Sequence, residues 1–73
     1  MEITLQSTTK TVALNGVPAR IWEGTTASGI KVICFITRVA VLSSADLSEF
    51  NRELEACLPP SPDAWSFPAR LVL

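Results

Sequence analysis

Between Gly29 and Leu42 the chain reads Gly-Ile-Lys-Val-Ile-Cys-Phe-Ile-Thr-Arg-Val-Ala-Val-Leu. Side chains alternate between the two faces of a strand, so Ile30, Val32, Cys34, Ile36, Ala40 and Leu42 fall on one side. Ile33, Phe35, Val39 and Val41 fall on the other. A strand apolar on both faces has to be covered on both. The chain has 73 residues, which makes a single domain over 1–73, of a size that buries only about 60% of its unfolded surface. One short helix covers one face of such a strand. The second face therefore predicts a homo-oligomer.

The N-terminal half is built for strands. Eighteen residues are β-branched (six Val, five Ile, seven Thr), and most precede residue 42, a density that disfavours helix there. Ile3 to Leu5 opens a strand, Gln6 to Thr9 reads as polar loop, and Thr11 to Leu14 as a second short strand. Asn15-Gly16 suits the two positive-φ positions of a type I′ turn and pairs that strand with Val17 to Trp22. Pro18, with no N–H to donate, belongs at an edge or at the start of its strand. Glu23 to Gly29, with two glycines and three hydroxyls, reads as an exposed loop.

After Leu42 the period changes from two to that of a helix. Ser43 or Ser44 is placed to cap it, and Asp46 and Glu49 lie in the first turn, where the dipole favours acids. Leu47, Phe50, Leu54, Cys57 and Leu58 form one apolar stripe, and Pro59-Pro60 ends the helix. The tail to Phe67-Pro68 reads as extended, and Ala69 to Leu73 as a final strand. The expected fold class is α+β: a small antiparallel β-meander, one amphipathic helix and a C-terminal returning strand.

Composition argues against several kinds of chemistry. The chain has no histidine, which removes the commonest general base and the commonest metal ligand together. Cys34 and Cys57 have no CxxC spacing; they read as free, buried thiols, with a single disulfide as the alternative, and neither a zinc site nor any other metal site is expected. Lys10 and Lys31 lie in no catalytic motif, and four of the seven carboxylates share one helix as a solvated face. No cofactor motif is present, and no enzyme is expected. Six basic against seven acidic residues and a pI near 5.1 argue against non-specific nucleic-acid binding, which needs clustered cations. The run Ile30 to Leu42 is interrupted by Lys31, Thr37 and Arg38 and is shorter than the ~20 residues of a spanning helix. Met1-Glu2-Ile3-Thr4 has no signal-peptide character. The expectation is a protein of the cytoplasm with no membrane partner.

Arg38 is the most informative single residue. A guanidinium on an apolar strand needs a carboxylate, a set of carbonyls or a bound anion. Pairing with Glu23 or a helix acid is one reading; gripping a phosphate or carboxylate of a ligand is the other. Arg20 and Trp22 share a face of the second strand, and an indole beside a guanidinium makes a platform for a planar base. Trp22 also reads simply as core, packed against Trp65 and Phe67. Thr25, Thr26 and Ser28 offer neutral hydrogen bonds to an anion, and Arg70 is a further ligand candidate. Trp65 and Phe67 in the proline-framed tail are candidates for a partner-protein interface.

Three segments resemble small accessory proteins encoded by bacteriophages and by prophages of proteobacteria. They are Leu14-Asn15-Gly16-Val17-Pro18-Ala19-Arg20-Ile21-Trp22-Glu23-Gly24-Thr25, Cys34-Phe35-Ile36-Thr37-Arg38-Val39-Ala40-Val41 and Pro68-Ala69-Arg70-Leu71-Val72-Leu73. The resemblance implies a phage gene product that neutralises host defence, in the host cytoplasm. The expected function is that of a homo-oligomeric binding protein that sequesters a small anionic ligand such as a nucleotide signal. The alternatives are an inhibitor that docks on a host protein through its aromatic surface, and a structural protein of the virion.

Overall fold

Asn15 and Gly16 set the first reversal of the chain. Their φ angles, 51° and 80°, are those a type I′ turn requires. The turn pairs β1 (Ile3–Leu14) with β2 (Val17–Thr26), antiparallel from Leu14 opposite Val17. The computed structural model describes residues 1–43 and 46–68. A three-residue loop, Ala27-Ser28-Gly29, with Gly29 at φ 88°, turns β2 into β3 (Lys31–Ile36). Gly29 N–H donates to the Thr26 carbonyl at 3.0 Å and Thr26 N–H to the Ile30 carbonyl at 2.9 Å, the pattern of a type I turn followed by a glycine bulge. The sheet order is β1-β2-β3. Two helices follow, α1 (Leu47–Glu55) and α2 (Pro62–Ser66). The α+β meander is present, and the expected returning strand, Ala69 to Leu73, lies outside the described residues.

The polar stretch Gln6 to Thr9 is not a loop but the middle of the twelve-residue strand β1. Its polarity serves a bulge. Ser7 lies opposite Trp22, whereas Thr11 lies opposite Arg20, so the register slips by two residues between them. Alternation from the Leu14–Val17 closing pair points the Ile21 carbonyl toward β1 at this slip. The Thr8 hydroxyl donates to it at 2.7 Å, and Ser7 and Thr8 are both buried.

The third strand stops at Ile36, six residues short of the expected Leu42. Pro18 supplies the reason. The β2–β3 register, Arg20 opposite Ile36, would set residue 38 against Pro18. Counting by twos from the bonded Thr26–Ile30 pair makes that a hydrogen-bonded position, and proline has no N–H to give. Thr37 and Arg38 therefore leave the sheet, and Arg38 is exposed rather than set in an apolar strand. Pairing also runs further along β2 than expected, through Glu23 to Thr26.

Helix α1 starts at Asp46 as N-cap, with no side-chain capping bond, so Ser43 is not the cap; Ser44 lies outside the described residues. It ends at Glu55, leaving Cys57 and Leu58 beyond the helix. Leu58 instead bridges to β1: its carbonyl accepts from Thr9 N–H at 3.0 Å, and it pairs with Thr8 in parallel. The tail expected to be extended contains α2. Ser61 caps it by accepting from Ala64 N–H at 3.2 Å, and Pro62 occupies the first helical position, where its missing N–H costs nothing.

The two helices take opposite faces of the sheet. Trp22, with Ser7 and Cys34 as its cross-strand neighbours, faces Phe50 and Leu54 of α1. On the other face Glu23 binds Ser61, Phe35 meets Phe67 with ring centroids 6.3 Å apart, and Ala64 is fully buried. One chain therefore covers both faces, so the two-faced strand no longer argues for a homo-oligomer. The cover is thin. Among the described residues the buried apolar side chains are Ala19, Ile21 and Ala64, while Leu42, Leu47, Leu58 and Trp65 are exposed.

Candidate functional site

The helix α1 buries no residue completely, and between it and the sheet a cleft of about 260 Å³ stays open. Its floor is Arg20, Trp22 and Ile36; its rim is Thr37, Arg38 and Val39; its roof is Phe50 and Leu54. Among the described residues the cleft thus gathers two basic side chains and no acidic one, in a chain of net charge −1. Two arginines and an indole lining one cleft beside apolar side chains suit a flat ring carrying an anionic group.

The two arginines are held differently. Arg20 Nη1 donates to the Thr8 carbonyl at 2.9 Å and reaches Cys57 Sγ at 3.5 Å, which fixes the guanidinium against the bulge. Arg38 has no carboxylate partner among the described residues. Its expected partner, Glu23, is engaged elsewhere: it accepts from Ser61 N–H at 2.9 Å and from the Ser61 hydroxyl. The ion pair among the described residues is Arg52–Glu49, on the exposed side of α1.

Of the expected ligand residues, Arg20, Trp22 and Arg38 come together and the hydroxyls do not. Thr25 has the opposite parity on β2 and lies beside Glu23, Lys31 and Ser61 on the other face. Thr26 and Ser28 are roughly 20 Å along the strand from Arg20, and their hydroxyls close the turn. Thr26 Oγ1 contacts Ser28 Oγ at 3.1 Å and accepts from Ile30 N–H at 3.2 Å. Arg70 lies outside the described residues. Trp65 and Phe67 do not pack on Trp22, since α2 carries them to the far face. Phe67 meets Phe35, and Trp65 lies under Lys10, whose Nζ is 4.4 Å from the ring centroid and also donates to the Trp65 carbonyl.

Phe50, Leu54, Thr37 and Val39 are cleft residues that the sequence reading left out. The helix stripe pointed to Phe50 and Leu54, but as core. Among the described residues no three Cys, Asp or Glu side chains converge as a metal site would need, and no helix is long and apolar enough to cross a membrane. Compared with family models, with curated proteins and with solved structures, the chain matches none.

Proposed function

We propose that this chain is a non-enzymatic, homo-oligomeric binding protein that sequesters a small anionic ligand, a nucleotide signal in the first instance, in the cleft of Arg20, Trp22 and Arg38. The observation that carries the reading is the joining of two arginines and an indole in one cleft with no carboxylate among the described lining residues. The volume of about 260 Å³ lies just under the about 300 Å³ where small-molecule sites begin. It suits one base with one phosphorylated sugar better than a dinucleotide. The described lining residues offer binding groups, arginines and an indole, and no nucleophile–base pair. The resemblance to phage accessory proteins supports a place for this sequestration in countering host defence, in the host cytoplasm.

Calorimetry of the purified chain against linear and cyclic mononucleotides tests the reading. Arg38 is exposed and bonded to nothing among the described residues, so Arg38→Ala leaves the fold intact and weakens binding by roughly tenfold or more, the loss of one charge-assisted contact. No heat from any nucleotide, or equal heat in Arg38→Ala, sinks the proposal.

A second reading is supported by Trp65, 64% exposed and steadied by Lys10. A rigid, accessible indole is the residue type that anchors protein interfaces, and it fits an inhibitor that docks on a host protein.

A further inference from the structure

The sheet has two edges, and the chain treats them differently. The β1 edge is bulged, carries Thr4, Gln6 and Lys10, and is crossed by Leu58 through the Thr9 amide. Bulges, charges and crossing segments are the devices that keep a strand edge from pairing with another chain. The β3 edge has none of them after Lys31: Val32 to Ile36 is apolar, free of proline and glycine, and in continuous register with β2. The Thr26–Ile30 pair fixes which groups face outward. Val32, Cys34 and Ile36 bond toward β2, so the N–H and C=O of Ile33 and Phe35 point away from the sheet. Among the described residues nothing pairs with them.

We infer that β3 is the self-association edge, pairing antiparallel with β3 of a second copy about a twofold axis through Cys34. The choice of occupant rests on self-complementarity. This register sets Ile33 against the partner's Phe35 and Val32 against the partner's Ile36. Every facing pair is then apolar, the most favourable kind of cross-strand neighbour, and the two Lys31 side chains lie at opposite ends. A chain with three buried apolar side chains among its described residues gains a six-stranded sheet. The axis stands perpendicular to that sheet, so both Arg20–Trp22–Arg38 clefts open on the same side. Their Trp22 backbones stand about 14 Å apart, three strand spacings.

The inference rests on the homo-oligomeric part of the proposed function and not on its ligand. Light scattering of the full chain reads the mass, with a dimer expected. The two Cys34 residues face each other at a non-hydrogen-bonded position, with Cα atoms about 4.5 Å apart, within disulfide reach. An added oxidant should therefore cross-link the dimer, in Cys57→Ser but not in Cys34→Ser. Ile33→Pro removes an outward N–H and no bond of the chain's own sheet, so a folded monomer is expected. A monomeric wild type, no Cys34 cross-link, or a dimer that survives in folded Ile33→Pro overturns the proposal. So does a monomer whose Ile33 and Phe35 amides resist hydrogen exchange, because another part of the same chain would then occupy the edge. Binding heat from a monomer would sink this edge and leave the cleft reading standing; a dimer without heat does the reverse.

Discussion

Arg20 and Arg38 share a cleft but answer to different constraints. Arg20 is a structural residue as well as a cleft residue, because its Nη1 closes the bulge at the Thr8 carbonyl. Its replacement therefore disturbs stability and binding together, whereas Arg38 isolates binding. Gly24 is constrained more tightly than either. A Cβ at this position would lie 1.7 Å from the Thr4 carbonyl oxygen, backbone against backbone, so β1 would have to move away. Gly24→Ala is expected to cost about 3 kcal/mol or more. A chain this small has roughly 3–5 kcal/mol in total, so circular dichroism should find the melting point strongly lowered and a sizeable unfolded fraction at room temperature. A folded Gly24→Ala protein with the wild-type melting point would show that the β1–β2 contact is loose. The pairing of Arg20 with Trp22 was legible in the sequence, because strand alternation alone puts them together. The exposure of Arg38 was not. It depends on a register that brings residue 38 to Pro18, and register follows from two turns whose lengths have to be known first.

Among the elements, the bulge in β1 and the helix α2 departed most from expectation. Ser-Thr-Thr reads as loop because short polar side chains compete with the backbone for hydrogen bonds. Here that competition is put to use, since the Thr8 hydroxyl bonds the Ile21 carbonyl across the slip in the ladder. Thr8→Val keeps the shape and removes the donor. It should cost about 1 kcal/mol in urea unfolding, the loss of one buried hydrogen bond. A loss below about 0.5 kcal/mol would mean that the Leu58 crossing holds the bulge by itself. The helix α2 did carry a readable start signal, Ser61-Pro62-Asp63, a capping residue followed by proline and an acid. Four prolines between 59 and 68 hid it behind the pattern of an extended tail. The type I′ hairpin was the most legible element, because Asn-Gly fixes its geometry within two residues.

At the scale of the molecule, the apolar excess of the sequence is distributed thinly over both faces of a three-stranded sheet rather than gathered into one core. If β3 pairs with a second copy as inferred, the melting midpoint of the wild type should rise over a roughly hundredfold increase in protein concentration. A midpoint independent of concentration would mark a self-sufficient monomer. The placement of the helices on opposite faces has one more consequence. The two indoles are on opposite sides of the sheet, Trp22 half-buried under α1 and Trp65 exposed on α2. Intrinsic fluorescence therefore contains two separable signals. Aqueous quenchers reach Trp65 first, and a stacked base dims Trp22, so a single emission scan distinguishes an occupied cleft from a covered α2 without any attached label.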